Sequence, residues 1–362
     1  MKLKGRTISI IINVGFIIII LFILILVILG IIIFHHLKNS RYNKRLAQKK
    51  ENWEPLLFEY LSGDRTVEKT AAALGNDYEI IKDFIVPYLK NLSGKDYQLL
   101  KKIAHKTGLT DYHLKKLEKG NNTEKIKAAN FLGKVEEEKA LKFLRKNLNN
   151  NDKDVMTAAA WAIAEIGEKK YFDLVLKKII NQTQMTYEGI TELFIQFGED
   201  ICQNIENLLQ EWVKNNIDLE TKYQTSKPVI ISLFIDLLGH FNYIQGTYLF
   251  REILNKETDS EIIIHVFKAM IKIGQPVDLD LKPYLQHENW VIRSQAVRYA
   301  GIINEEKYLS IYKELLQNDD NWWVKYYAGE TILQIGEIHI LESVAETQTA
   351  GSKMSNYILN QN

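Results

Sequence analysis

Two segments near the C-terminal end, HENWVIRSQAVRYAG and DDNWWVKYYAGETILQIGE, hold the residues whose types and spacing best suit recognition chemistry. Trp290 and Trp322 occupy the same place in the two segments, Trp323, Tyr326 and Tyr327 follow closely, and Arg298 lies between them. Flat rings and a guanidinium are the groups that dominate binding hot spots, and Arg can also stack on an aromatic face. Trp290, Trp322, Tyr326 and Arg298 are therefore the binding candidates, as a partner anchor or a sugar-stacking platform, with Gly329 opening a notch beside Tyr326. The competing expectation is that these rings seal grooves inside the fold. On balance it is favoured, with at least one of the two tryptophans buried.

Other chemistry is thinly represented. The eight histidines are scattered apart from His35-His36, and neither a Gly-rich phosphate loop, a nucleophile elbow nor a paired-His motif occurs. The single cysteine, Cys202, sits in the frame EDICQNIENLLQEWV, where acidic neighbours disfavour a thiolate, so it reads as an inert core thiol. One cysteine excludes an internal disulfide and a Cys-based zinc site. No catalytic residue, metal site or cofactor is expected, and the chain reads as a non-enzyme.

The elements that must carry the aromatic residues follow from a repeat. VMTAAAWAIAEIG, Val155 to Gly167, is rich in alanine, the best helix former, and stops on the residue that most easily turns left-handed. The same frame ends at Gly198, Gly239, Gly274 and Gly336, with Asn304 substituting once and a weaker copy ending at Glu136. These ends give intervals of 31, 31, 41, 35, 30 and 32 residues. Gly167, Gly198, Gly239, Gly274, Asn304 and Gly336 are expected to cap the repeats. A second amphipathic segment precedes each copy, for example EKALKFLRKNLNN and KYFDLVLKKIINQ. A period in the thirties built from two helices signals an α-solenoid, in which no pair buries its apolar face alone.

In DKDVMTAAAWAIAEIGE and in the two aromatic segments the chain resembles the HEAT-repeat family, in the short form shared with phycobilisome-lyase-like repeats. The resemblance covers about residues 122–362 and implies the fold. It also implies a ladder of acid–base pairs between repeats. That ladder should be incomplete, because the basic residue present as Arg293 and Lys325 is replaced by Met156, Tyr187, Pro228 and Ile263 elsewhere. Ala159, Ala296 and Ala328 are expected to set close helix approach, and residues 217–227 to form a long loop.

At the other end, Ile8 to Phe34 runs without a charge, longer at ~1.5 Å per residue than the ~30 Å of hydrocarbon it would cross. It reads as a retained transmembrane helix. Lys2, Lys4 and Arg6 precede it, while Lys38, Arg41, Lys44, Arg45, Lys49 and Lys50 follow it, which places the C-terminal body in the cytoplasm, at the plasma membrane of a bacterium. Nine of the 46 Lys and Arg residues and none of the 45 acids precede residue 51, leaving the body 37 basic against 45 acidic residues, a net −8. That balance argues against nucleic acid as a partner.

The organisation expected is a basic tail over 1–7, a membrane helix over 8–34, a basic juxtamembrane segment over 35–50, irregular helical hairpins over 51–121 and the solenoid over 122–362. The fold class is all-α. The functional expectation is a membrane-anchored scaffold for a protein partner, touching the bilayer through residues 8–34. The alternative is an accessory subunit of an envelope enzyme complex such as a polysaccharide-synthesising glycosyltransferase, which rests on resemblance to anchored HEAT-repeat proteins.

Overall fold

Seven residues with positive φ, between 48° and 92°, set the period: Glu136, Gly167, Gly198, Asn242, Gly274, Asn304 and Gly336. They appear in a computed structural model that describes residues 2–180 and 185–361, with side chains from residue 20 onward. Met1, Asn362 and the Asn181–Gln182 end of one expected helix lie outside the described residues. Each of the seven closes a helix, and their spacing of 31, 31, 44, 32, 30 and 32 residues confines the irregularity of the sequence frame to one long interval.

The chain divides into two compact units, residues 1–115 and 116–362. The first is built from α1 (Lys2–Ser62), α2 (Val67–Leu74), α3 (Tyr78–Asn91), α4 (Gly94–Lys106) and most of α5 (Leu109–Lys119). A lead helix, α6 (Asn122–Lys134), begins the regular part of the second. Pairs follow: α7 (Leu141–Asn147) with α8 (Lys153–Ile166), α9 (Phe172–Ile179) with α10 (Tyr187–Ile195), and α11 (Cys202–Val213), which is separated from its partner α13 (Lys227–His240) by a short α12 (Leu219–Tyr223). The array continues with α14 (Thr247–Lys256) and α15 (Ser260–Ile273), α16 (Lys282–Leu285) and α17 (Trp290–Ile302), and α18 (Leu309–Asn318) and α19 (Trp322–Ile335). The final pair is α20 (Ile338–Ala345) and α21 (Gly351–Leu359). No strand occurs among the described residues, and the second unit is an α-solenoid of HEAT-like helix pairs.

Two positions depart from the expected design. Gly239 is not a cap: it lies inside α13, and the left-handed turn falls three residues later at Asn242, where φ is 52°. Its role is close approach, since a Cβ built there would stand 2.9 Å from Cα and Cβ of Ala269 on α15. Gly133 and Gly301 sit likewise three residues before Glu136 and Asn304, against Ala162 and Thr331. Where the terminator is not glycine, the glycine moves back one turn and lets two second helices touch. Gly239→Ala is expected to cost about 1–3 kcal/mol by overpacking, with much of the loss recovered when Ala269→Gly is added. Thermal melting of the single and double variants checks this, and no recovery would contradict the close-approach role.

The second departure is residues 217–227, which do not form a long loop. Asp218 caps α12 by accepting from the backbone N–H of Glu220, and Tyr223 is buried with its ring edge-on to Phe234 at 6.1 Å. Its hydroxyl donates to Asp173 at 2.7 Å, so the insertion is sewn into the core.

The ladder is incomplete, as expected. Arg293 on α17 grips Asp319, two residues before the Asn321 cap of α19, through Nε at 2.7 Å and Nη2 at 3.0 Å. Lys227 on α13 pairs with Glu257 at 2.8 Å, again two residues before a cap, Asp259 of α15. Ala159, Ala296 and Ala328 are fully buried between helices. Cys202 is buried too, and burial pushes its thiol up to about 12, in keeping with an inert core residue.

In the first unit, α1 is one continuous helix through the apolar run, the basic segment and WEPLLFEYLS. Ile20 to Phe34 project apolar side chains that are about half exposed, whereas Trp53, Leu57 and Tyr60 are buried. Trp53 packs edge-on against Phe84 at 5.4 Å, Arg45 pairs with Asp77 at 2.9 Å, and the Tyr42 hydroxyl donates to Asp83. By length and composition α1 is able to cross a membrane.

Candidate functional site

Successive second helices α10, α13, α15, α17 and α19 touch one another in order and form one row. Their starts are fixed by short polar caps: Thr186, Asp259, Asn289 and Asn321 each accept a backbone N–H of the first turn. Asn289 and Asn321 thereby make Trp290 and Trp322 the first residues of α17 and α19.

Both tryptophans are exposed, Trp290 at 41% and Trp322 at 51%, and Trp323 at 47%. The expectation that at least one of the pair fills a groove is overturned. On α19 the reason is the helix register: each ring of the first turn folds along its own helix onto the residue four later. Trp322 stacks on Tyr326 at 5.4 Å with planes 2° apart, and Trp323 stacks on Tyr327 at 5.9 Å. The guanidinium of Arg298 lies 5.4 Å over the Tyr327 ring, so the structure joins Arg298 to the aromatic cluster. No notch opens at Gly329, because Ile358 of α21 fills the space a side chain there would take.

Arg298 also lines a groove of about 610 Å³ that continues along the row over α10, α13, α15 and α17. At its far end three helices are tied together. The Tyr187 hydroxyl donates to Asp236 Oδ2 at 2.8 Å, and His265 Nδ1 meets Asp236 Oδ1 at 2.7 Å, with the Tyr187 and His265 rings edge to face at 5.7 Å. Burial first, and then the Asp236 charge, push the Tyr187 hydroxyl far above its ordinary value, so it stays a donor. Thr191 is the groove's aliphatic alcohol, and its hydroxyl donates to the Tyr187 carbonyl at 3.0 Å. The lining carries neither serine nor cysteine. What the arrangement offers is recognition: Lys268, Lys272 and Arg298 on α15 and α17, and Glu188 and Glu192 on α10, all exposed.

Among the described residues no group of three or more His, Cys, Asp or Glu side chains is placed to hold a metal ion. Sequence reasoning missed Tyr187, Asp236 and His265 as a unit. The available signal was Asp236, the lone acid in the apolar α13, and Tyr187, which stands where a ladder base would. A hydrogen-bonded Tyr–Asp pair replaces the missing rung.

No family model matches the chain, and no curated protein matches it. Among solved structures it is similar to a chain in the complex of CpcE and CpcF of phycocyanin lyase from Nostoc sp. PCC7120, at 18% identity over 73% of this chain and 94% of that one, with a TM-score of 0.26. The fold assignment stands on the helix pairs themselves.

Proposed function

We propose that this protein is a membrane-anchored, non-enzymatic scaffold that holds a protein partner at the membrane face through its row of second helices. The observation that carries the reading is the aromatic cluster of exposed Trp322 and Trp323 on half-buried Tyr326 and Tyr327, continued through Arg298 into the charged groove. Large rings left in water at ordered, stacked positions are the usual anchors of a protein interface. The apolar half of α1 supplies the anchor, and tethering raises the local concentration of whatever the solenoid holds. The net −8 of residues 51–362 disfavours nucleic acid as that partner. The test is recovery of partner from detergent-solubilised membranes with full-length protein and with Trp322→Ala. Loss with the variant supports the reading, and equal recovery contradicts it. A polysaccharide synthase as the captured protein would favour the envelope-enzyme alternative.

The anchor carries its own prediction. Asn216→Cys introduces a thiol on an exposed segment, while buried Cys202 with its raised thiol contributes no background. In intact cells the new thiol is expected to stay unlabelled by an impermeant maleimide until the membrane is permeabilised. Labelling beforehand would reverse the orientation.

A further inference from the structure

The second-helix row is patterned along its length. At the α10 end stand two carboxylates, Glu188 and Glu192. Lys268, Lys272 and Arg298 follow on α15 and α17. On α19 come the exposed rings of Trp322 and Trp323. None of these five charges forms an ion pair among the described residues, whereas Lys227 on α13 and Arg293 on α17 of the same row are paired. Like charges are grouped within each block, so each block is complementary to the opposite charge on an occupant rather than to its own neighbours.

We infer that the row is the docking site for an extended peptide segment of a partner, with a basic block over Glu188 and Glu192, an acidic block over Lys268, Lys272 and Arg298, and an aromatic or large aliphatic residue against Trp322 and Trp323. This rests on the scaffold reading and deepens it. The length follows from geometry: five neighbouring helices spaced by roughly 8–10 Å span about 32–40 Å, the reach of about 10–12 residues at ~3.3 Å each. Exposure of all five charged side chains argues for a chain laid along the row rather than a small molecule, which a site would enclose. The Tyr187–Asp236–His265 tie keeps α10, α13 and α15 in fixed register beneath the basic and acidic blocks.

The test uses full-length protein in detergent micelles and fluorescein-labelled 12-residue peptides, read by fluorescence anisotropy. One peptide carries the order basic, acidic, aromatic, and is made in both chain directions. A second has the same composition with the basic and acidic blocks exchanged. The ordered peptide, in one direction, is expected to bind at least about tenfold more tightly than the exchanged one, and K268E/K272E to weaken it about tenfold while leaving the thermal melt unchanged. Equal binding of the two orders, or indifference to K268E/K272E, would overturn the inference. Displacement by pyrophosphate at lower concentration than by unlabelled peptide would overturn it in favour of a simple anion site. If the ordered peptide fails while Trp322→Ala still abolishes partner recovery from membranes, the charge order falls and the scaffold reading stands; if both fail, the scaffold reading falls as well.

Discussion

Arg293→Ala is expected to destabilise the solenoid by about 3 kcal/mol or more, the largest single effect predicted for this chain. The Asp319 side chain is 5% exposed and receives two guanidinium N–H groups, so removing the arginine leaves a buried carboxylate with only the backbone N–H of Asn321 for compensation. The same guanidinium donates to the carbonyls of His287 and Glu288, which hold the turn before α17. The loss therefore strikes the starts of two successive second helices at once. Because stacked repeats depend on their neighbours, melting should broaden and hydrogen-exchange protection should fall first in α17 and α19. Arg293→Lys keeps a charge but not the fork, and should recover only part of the loss. An unchanged melt for Arg293→Ala would mean that the rung is decorative.

Much of this was readable in the residues, for identifiable reasons. Alanine-rich helices stopped by Gly167, Gly274 and Gly336 announce themselves through local propensity, and the observed left-handed φ at each follows. Gly239 misled because an apolar-Gly pair looks the same whether the glycine turns the chain or admits a neighbour. Only the position of Ala269 on the next helix decides between them. The helix at Leu219–Tyr223 was hidden for a similar reason, since its polar sequence reads as a loop until Tyr223 packs on Phe234 of the next helix and finds Asp173, distant in the chain. The candidate site was half legible. Its aromatic end was visible as residue types, but whether rings at the first turn of a helix reach across to a neighbour or fold back on their own helix is a matter of side-chain direction. The Tyr187–Asp236–His265 tie spans 78 residues and has no local signature.

Trp322→Ala is the second large effect, and it falls on binding. The ring is 51% exposed and stacks on Tyr326 of its own helix, so its removal leaves no cavity and is expected to lower stability by about 1 kcal/mol or less. Partner capture should fall by roughly 2 kcal/mol, about thirtyfold, as for other central aromatic anchors. Trp322→Phe retains a stackable ring and should lie between the two. The contrast with Arg293→Ala is diagnostic: one variant weakens the fold and keeps the exposed rings, while the other keeps the stability and loses a ring. A Trp322→Ala protein that melts several degrees lower with unaltered capture would reverse these roles.

The most direct measurement of the central claim is site-directed photo-crosslinking in intact membranes, with a benzophenone side chain placed singly along the two helix rows of the full-length protein. Trp322, Trp323 and Lys268 sample the second-helix row, and the exposed Glu252 on α14 and Glu314 on α18 sample the first. The account predicts one discrete crosslinked product of the same size from all three second-row positions, and none from the first row. The same product from Glu252 and Glu314 with nothing from Trp322, Trp323 or Lys268 would contradict it.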